Sequence, residues 1–351
     1  MSATCIILVN WNGGGDTIEC LESLLRLDDH DFRVVVVDNG STDGSQDRIA
    51  AWAADAPPPC PQTPPWDRLP RERSRTASFA RIDGRGPLPP PSADVTLIEA
   101  GSNLGFAAAN NLGMRFAGSD PGARFFWILN NDTVVAPDSL AAQLRRMNDD
   151  PAIGMLGARL MFYGDPDVVQ GLAGGFHVGR ARGYHLGLGL RANSLPPEAD
   201  VEAAMAYVLG ASMFVRRELV EATGGMSESY FLYFEEIDWA RRMPAPYRLA
   251  VAQDAVVWHK EGGTIGSATQ SRPSNTSLYY INAGLLRFYW KHDRARLPIA
   301  VGRVLREAAG HGAKGDGAAV KAVMRAAGDV VFGVRRRGRY GSPEFDAAEW
   351  R

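Results

Sequence analysis

The sequence predicts an α/β fold, with a doubly wound and mostly parallel sheet that is flanked by helices. Strand-like and helix-like segments alternate along the first part of the chain, and the strand-like segments are almost continuously apolar. Such strands are typical of parallel sheets that helices cover on both faces. A polar loop follows each strand, and right-handed crossovers bring these loops to one edge of the sheet. Open α/β sheets bind their ligands at that edge.

Four strands and the loops after them support this prediction. The strands are predicted at residues 6–9, 34–37, 95–98 and 125–129, and the loops begin at Asn10, Asp38, Asn103 and Asn130. The first loop contains Gly13-Gly14-Gly15. The helix after it is predicted to begin at Asp16, with Glu19 at the spacing of a capping box. Helices are also predicted after the second loop and, over residues 107–116, after the third.

The fourth loop, Asn130-Asn131-Asp132, predicts a metal site. The strand before it is apolar and aromatic, so it delivers two amides and a carboxylate to the edge of the sheet. Oxygen ligands of this kind suit Mg²⁺ or Mn²⁺ carrying a diphosphate. Asn and Asp also favour a simple turn at a strand end. The other polar loops at the same edge favour the metal interpretation.

The second loop indicates a nucleotide pocket without a common phosphate motif. A carboxylate at a strand end, such as Asp38, accepts hydrogen bonds from a ribose hydroxyl or a base N–H. A tight turn is the alternative interpretation of Asp38-Asn39-Gly40. The sequence contains no Gly-x-x-x-x-Gly-Lys-Ser/Thr motif, and no Gly-x-Gly-x-x-Gly follows the first strand. These absences argue against a Walker-type site and an ordinary dinucleotide site.

Three acidic residues, Glu235, Glu236 and Asp238, stand within four positions at a predicted helix start. Apolar and aromatic residues flank them. Neighbouring carboxylates raise one another's pKa, which suits a general base that works near neutrality. The alternative is a solvated acidic first turn that the helix dipole stabilises.

Eight motifs occur along the chain in a fixed order. They are Val9-Asn10-Trp11-Asn12, Val37-Asp38-Asn39-Gly40-Ser41-Thr42-Asp43-Gly44-Ser45, Asn103-Leu104-Gly105-Phe106 with Asn110-Asn111, Asn130-Asn131-Asp132, Tyr207-Val208-Leu209-Gly210-Ala211, Gly224-Gly225-Met226-Ser227-Glu228, Tyr230 through Trp239, and Val257-Trp258-His259-Lys260. They resemble the successive signatures of glycosyltransferase family 2, and the bacterial rhamnosyltransferase-like branch in particular. The resemblance covers about residues 4–54 and 95–292.

The resemblance implies a GT-A fold, a nucleotide-sugar donor, a divalent cation and inversion at the anomeric carbon. Asn130-Asn131-Asp132 takes the place of the family's Asp-x-Asp element, with Asn replacing the first carboxylate. Asp132 is then the main metal ligand, and Asn130 and His259 are further ligands. A packed or capping role is the alternative for His259.

The resemblance also implies the donor pocket and the base. The pocket residues are Asn10, Asn12, Asp38, Asn39, Asn103, Gly105, Asn110, Asn130 and Asn131. Alignment of Glu235-Glu236 with the family's Glu-Asp pair puts the base at Glu236. Because Glu stands where the family has Asp, Asp238 stays the alternative base.

The expected function is metal-dependent, inverting sugar transfer to a cell-surface glycan or its lipid-linked precursor. The resemblance suggests dTDP-L-rhamnose as donor, with a UDP-hexose as the alternative. The acceptor surface is expected to include residues 171–189, Tyr207 and Gly210. That stretch carries His177 and His185, and its glycines suggest either a mobile loop or a flexible linker.

Two other functions compete with sugar transfer. A sugar-nucleotide nucleotidyltransferase usually grips a triphosphate with a glycine-rich loop that carries basic residues, and the loops at 10–15 and 38–45 contain none. A catalytically inactive binding module that keeps the fold is the second alternative.

Composition fits a globular enzyme. Of 351 residues, 45% are hydrophobic and 22% charged, and a net charge of −2 gives no reason to expect nucleic acid. Cys5, Cys20 and Cys60 have neither zinc-site nor disulfide-framework spacing, and the first two are expected in the first strand and helix. Without an apolar run of about 18 residues, the chain is expected to be cytoplasmic, with peripheral contact at the inner face of the membrane as a further expectation.

We expect a catalytic domain over residues 1–292 and an extension over 293–351. The domain contains a Pro- and Arg-rich insertion at 55–94, interpreted as an extended loop or alternatively as a docking element. The extension is predicted to form two amphipathic helices and a basic tail around Arg335–Arg339. The helices either contact a membrane surface or pack on the catalytic domain.

Overall fold

The computed structural model describes residues 3–54, 77–260 and 273–333. The strands are β1 (Thr4–Asn10), β2 (Phe32–Asp38), β3 (Phe79–Asp83), β4 (Val95–Glu99), β5 (Phe125–Asn130), β6 (Thr133–Val135), β7 (Ile153–Phe162), β8 (Val169–Gly171), β9 (Ala173–His177), β10 (Arg182–Leu186), β11 (Ser212–Arg216) and β12 (Arg248–His259). The helices are α1 (Gly14–Leu24), α2 (Ser45–Ala54), α3 (Phe106–Gly118), α4 (Ser139–Asp149), α5 (Glu198–Ala204), α6 (Arg217–Thr223), α7 (Glu235–Arg242), α8 (Asn275–His292), α9 (Leu297–Ala313) and α10 (Gly317–Val331).

The predicted α/β fold is confirmed. The central sheet has the strand order β3-β4-β2-β1-β5-β11-β7-β12-β6, and β8 pairs with β7. From β3 to β5 the pairing is parallel, whereas β11 runs antiparallel to both of its neighbours. Asn10 lies opposite Asp38, and Val9 lies opposite Asn130. This register brings the carboxyl ends of β1, β2 and β5 to one edge, as predicted.

The apolar strands pack against helices on both faces of the sheet. Along β1, Ile6 and Leu8 join a buried cluster with residues of α1 and α2, whereas Cys5 and Ile7 join a cluster with α3. Cys5 and Cys20 lie buried in the first strand and helix, as expected, and Cys60 lies outside the described residues. Burial on both faces explains why these strands are apolar at successive positions.

The start of the first helix was predicted wrongly. Helix α1 begins at Gly14 with Gly13 as its N-cap, and no side-chain hydrogen bond caps it. Asp16 and Glu19 instead bind the ammonium group of Lys260, with Nζ 2.6 Å from an oxygen of Asp16. The spacing of Asp16 and Glu19 suggested a capping box, but local spacing does not indicate an ion-pair partner that lies 244 positions away.

The predicted insertion at 55–94 contributes a strand to the sheet. Residues 55–76 lie outside the described part of the chain, but β3 pairs in parallel with β4 over five residues. The extended-loop interpretation is therefore wrong for residues 79–83. The composition of the insertion did not indicate this strand, because two of its five residues, Arg81 and Asp83, are charged.

The predicted pair of carboxyl-terminal helices is confirmed as α9 and α10. Buried residues of both helices, including Ala300, Val304 and Val323, belong to the same apolar cluster as Leu285 and Phe288 of α8. Their inner faces thus pack back on the rest of the molecule. The basic tail lies outside the described residues. No helix in the described ranges is long and apolar enough to cross a bilayer.

Candidate active site

A cavity of about 560 Å³ opens at the carboxyl edge of the sheet. Its volume is in the range of small-molecule sites. Its wall brings together residues from all four predicted polar loops and from the acidic segment, among them Trp11, Asn39, Asn103, Gly105, Asn130, Asn131, Asp132, Glu235, Glu236 and His259. Residues that are far apart in the sequence therefore converge on one site, as predicted.

The predicted metal ligands lie together on one side of this cavity. Nε2 of His259 is 3.2 Å from Oδ1 of Asp132 and 3.3 Å from the side-chain amide of Asn130. Burial opposes ionisation of Asp132, but the His259 charge and hydrogen bond outweigh it and lower the carboxyl pKa. These three side chains come from the end of β5, from the turn after it and from the end of β12.

A glutamine that the sequence analysis missed orients the histidine. Oε1 of Gln170 is 2.9 Å from Nδ1 of His259, so this arrangement places a proton on Nδ1, and Nε2 is the ring nitrogen that faces Asp132 and would bind a cation. Histidine ligands of metals are commonly held in this way. Gln170 belongs to no recognisable motif. It lies in β8 and reaches His259 of β12 across β7, which pairs with both of these strands.

This donor set fits a divalent cation. Two adjacent ligands on an octahedral ion with bonds of about 2.1 Å are about 3 Å apart, close to the 3.2 Å between Asp132 and His259. In the described residues, no group of three His, Cys, Asp or Glu side chains is placed to hold a metal. A cation bound here therefore needs further oxygen ligands from a diphosphate or from water.

The predicted donor-pocket residues divide into those that line the cavity and those that support the loops around it. Asn39, Asn103 and Gly105 line the cavity, and Nδ2 of Asn39 donates to Oδ1 of Asn103 at 3.1 Å. Asp38 is fully buried, and its carboxylate accepts from Asn10 at 2.7 Å. Asp38 therefore braces the loop network behind the lining residues.

Two further predicted pocket residues also make contacts inside the protein. Oδ1 of Asn12 accepts from the backbone N–H of Thr42 at 2.7 Å, which ties the first loop to the second. Asn110 is buried in α3 and donates to the backbone oxygen of Phe106 at 2.9 Å. Both asparagines thus support the loops that surround the cavity.

The acidic segment provides two cavity carboxylates, Glu235 and Glu236. One carboxylate oxygen of each is buried without a hydrogen-bond partner in the described structure. Burial raises the pKa of Glu236 to about 7. Burial and the adjacent Glu236 carboxylate raise the pKa of Glu235 well above its usual value. The pair is thus able to hold or accept a proton near neutral pH.

Asp238 has a different environment from the two glutamates. It is fully buried and accepts from His292 at 2.7 Å, Lys291 at 2.8 Å and Arg242 at 2.7 Å. Although burial opposes ionisation, these partners lower the pKa of Asp238. The structure therefore places Asp238 in an ion-pair network and not in the cavity wall.

The predicted acceptor region is partly in the cavity. Tyr207, Gly210 and His185 line it, whereas His177 stacks on Tyr184 with ring centroids 4.5 Å apart. The predicted mobile or flexible stretch contains the β9–β10 hairpin instead. Its glycines serve close packing: a Cβ at Gly174 would lie 2.1 Å from the Tyr207 ring.

An aromatic pair that was not predicted as a site completes the cavity wall. Phe231 and Tyr280 stack with centroids 4.7 Å apart and an interplanar angle of 17°. Phe231 is one of the apolar and aromatic residues that flank the acidic segment in the sequence. Tyr280 belongs to α8, whose helical periodicity gives no sign of a ligand site.

The chain matches the sequence model of glycosyl transferase family 2 over residues 5–76 and 91–186, a little under half of its length. The match indicates that this chain is a glycosyltransferase. No relative matches among curated proteins.

Solved structures that are similar to this chain include the following two. One is a mannosyltransferase from Pyrobaculum calidifontis in complex with GDP-Man and Mn²⁺, with 16% identity, coverage of 94% of this chain and 87% of that chain, and a TM-score of 0.49. The other is TarS 1-349 from S. aureus in complex with UDP, with 13% identity, 99% coverage of both chains and a TM-score of 0.48.

Proposed function

We propose that this glycosyltransferase is metal-dependent and inverting, and that it moves a sugar from a nucleotide-sugar donor to a glycan or lipid-linked acceptor. The observation that supports this most is the cavity itself. A carboxylate–imidazole pair, Asp132 and His259, and a buried carboxylate of raised pKa, Glu236, share its wall. Transfer needs both groups, one beside the leaving diphosphate and the other beside the attacking hydroxyl.

The proposed step uses Glu236 as general base. A carboxylate oxygen of Glu236 takes the proton of the acceptor hydroxyl while that hydroxyl oxygen bonds to the anomeric carbon. The bond from that carbon to the diphosphate oxygen breaks, and the nucleoside diphosphate leaves with the electron pair. Asp132, His259 and Asn130 would hold a cation that neutralises charge on the diphosphate.

The environments of the acids support Glu236 over Asp238 as the base. A base must reach a substrate proton, and Glu236 lines the cavity with an unpartnered buried oxygen. Asp238 is fully buried against three cationic or potentially cationic side chains. Its lowered pKa also makes it the weaker base.

We propose dTDP-L-rhamnose as the donor, with a UDP-hexose as the alternative. The rhamnose proposal rests on the motif resemblance to the rhamnosyltransferase-like branch. On one side of the cavity, the wall offers a nucleoside the ring of Trp11, the side-chain amides of Asn39 and Asn103, and the backbone of Gly105. None of these groups selects one sugar over another by its chemistry alone.

A panel of dTDP- and UDP-sugars, tested with Mn²⁺, provides the first prediction. One nucleoside series is expected to raise the melting temperature, because a ligand at a hundredfold excess over its Kd stabilises by about 2.7 kcal/mol. The matching sugar is then expected to yield nucleoside diphosphate when an acceptor is present. Release of pyrophosphate would support a nucleotidyltransferase instead, and binding without any turnover would support an inactive binding module.

We further propose that the extension after residue 292 contacts an anionic bilayer surface. Large apolar side chains are exposed in and beside it, namely Trp290, Ile299, Val301, Leu305, Met324, Val331 and Phe332. Exposed basic side chains alternate with them: Arg294, Arg296, Arg306, Lys321 and Arg325. Apolar groups beside cations suit the interface of a membrane that carries anionic lipids.

Vesicle binding by two matched leucine variants tests this contact. The wild type is expected to sediment with vesicles that contain anionic lipid, and less so in high salt. Leu305→Asp is expected to weaken binding about tenfold or more, since a buried leucine contributes about 1.5–3 kcal/mol. Leu188→Asp is the control, because Leu188 is similarly exposed, 47% against 50%, but lies outside the extension. Equal binding by both variants would contradict the proposal.

A further inference from the structure

The turn that leads into the two cavity glutamates has a strained backbone. Tyr233 and Phe234 have φ values of 66° and 75°, in the left-handed region that residues with a Cβ rarely adopt. Phe234 is the N-cap of α7, so its conformation sets the direction in which Glu235 and Glu236 leave the turn. Two successive aromatic residues keep such a backbone only where their surroundings fix it.

Helix α8 packs directly on this turn. A Cβ at Gly284 would lie 2.9 Å from Cδ2 of Phe234 and 3.1 Å from the carbonyl oxygen of Tyr233. One further contact joins the same elements, since the Tyr233 hydroxyl donates to Oγ of Ser277 at 3.1 Å. The middle and the start of α8 thus hold the strained turn at close range.

The end of α8 holds α7 at a second point. Lys291 and His292, the last two residues of α8, both bind the buried carboxylate of Asp238 on the first turns of α7. The same oxygen of Asp238 also accepts from the Tyr230 hydroxyl at 3.2 Å, and Tyr230 lies just before the turn. Asp238 therefore links α8, α7 and the segment before the turn through one carboxylate.

We propose that α8 is the element that positions the catalytic glutamates, with Gly284 and Asp238 as positioning residues. The proposal rests on the proposed function for the role of Glu236. Contacts at the N-cap and in the first turn of α7 fix the start of this helix against rotation and sliding. The missing side chain of Gly284 lets α8 approach the turn closely. Helix α8 lies beyond residue 186, where the match to the family ends. It is thus a part of the active site that the matched segment does not contain.

Replacing Gly284 by alanine tests the positioning role. The added methyl group is expected to displace the turn and lower kcat about ten- to a hundredfold, because small misplacements of reacting groups have effects of this size. The donor KM is expected to change less than about twofold, since the atoms nearest a Cβ at Gly284 belong to Tyr233 and Phe234 and not to the metal side or the nucleoside loops. Gly328→Ala is the matched control, because Gly328 is also helical and a Cβ there meets nothing within 4 Å.

Two further measurements decide the remaining outcomes. If Gly284→Ala does not fold, Ser277→Ala removes the bond to Tyr233 without added bulk, and it is expected to lower kcat several-fold at unchanged KM. If Gly284→Ala folds and has the same kcat as Gly328→Ala, the proposal is overturned. If Gly284→Ala does not fold, a fully active Ser277→Ala overturns it.

Failure of the proposed function is distinguishable from failure of the positioning role. Absence of transfer by the wild type would reject the function alone. The carboxyl carbon resonance of Glu236, assigned by its loss in Glu236→Gln, then reports the position of the turn. The pH at the midpoint of its titration, which is the pKa of Glu236, is expected to fall in Gly284→Ala toward the usual glutamate value of about 4.3, because a displaced turn admits water. An unchanged midpoint in this variant would overturn the positioning role.

Discussion

Replacing Glu236 by glutamine is expected to lower kcat by about 10²–10⁴-fold, the usual contribution of a general base. Glutamine keeps the shape and hydrogen-bonding capacity of the side chain but does not accept a proton at working pH. Because only the ionised carboxyl acts as a base and burial raises its pKa to about 7, wild-type kcat is expected to fall as the pH drops below about 7. This acid limb should disappear in the variant, while donor affinity stays nearly unchanged.

Asp238→Asn is the control that separates the two candidate bases. Asp238 lies in the ion-pair network with Lys291 and His292, so its variant is expected to lose less kcat and to keep the acid limb. A nearly active Glu236→Gln beside an inactive Asp238→Asn without an acid limb would make Asp238 the base. If neither variant loses more than a few-fold, proton transfer does not depend on these acids.

Replacing Asp132 by alanine is expected to lower transfer by more than about 10²-fold. The proposed cation site comprises one carboxylate, one imidazole and one amide, and the carboxylate would be its charged ligand. Asn130→Ala is expected to have a smaller effect, since it removes a neutral group.

Metal titration by calorimetry, with and without UDP or dTDP, gives a readout apart from turnover. Mn²⁺ is expected to bind the wild type weakly alone and more tightly with nucleotide, because the diphosphate supplies the missing oxygens. The Asp132→Ala variant is expected to lose most of this nucleotide-dependent affinity. Equal Mn²⁺ affinity in wild type and variant would reject Asp132 as a ligand.

The local pattern of the sequence predicted the sheet and the loops at its edge. Apolar runs such as residues 125–129 have few alternatives to a buried strand, and a parallel register forces Asn10, Asp38 and Asn130 to one edge. These features depend on residues close together in the chain. The position of the cavity follows from them almost directly.

The roles of individual side chains were less predictable, because they depend on partners far away in the sequence. Asp38 and Glu236 are both acids of predicted site segments, yet one is braced by Asn10 and the other faces the cavity. Gln170 lies 89 positions from the histidine that it orients. No periodicity in α8 reveals that Gly284 meets a strained turn 50 positions earlier. Such contacts follow from the three-dimensional packing alone.

The edge strand β3 has a consequence for self-association. Outer strands expose unpaired backbone groups on which another chain can add a strand, and charged side chains discourage this. Among the described strands β3 is outermost at its end of the sheet, and its Arg81 pairs with Asp47 and Glu99. The strand beneath it, β4, is buried and reads Val-Thr-Leu-Ile-Glu. Because β3 pairs with β4 and carries charged side chains, it shields the apolar strand β4 from pairing with another chain. Shortening the segment that carries β3 would expose the backbone of β4 at the edge of the sheet.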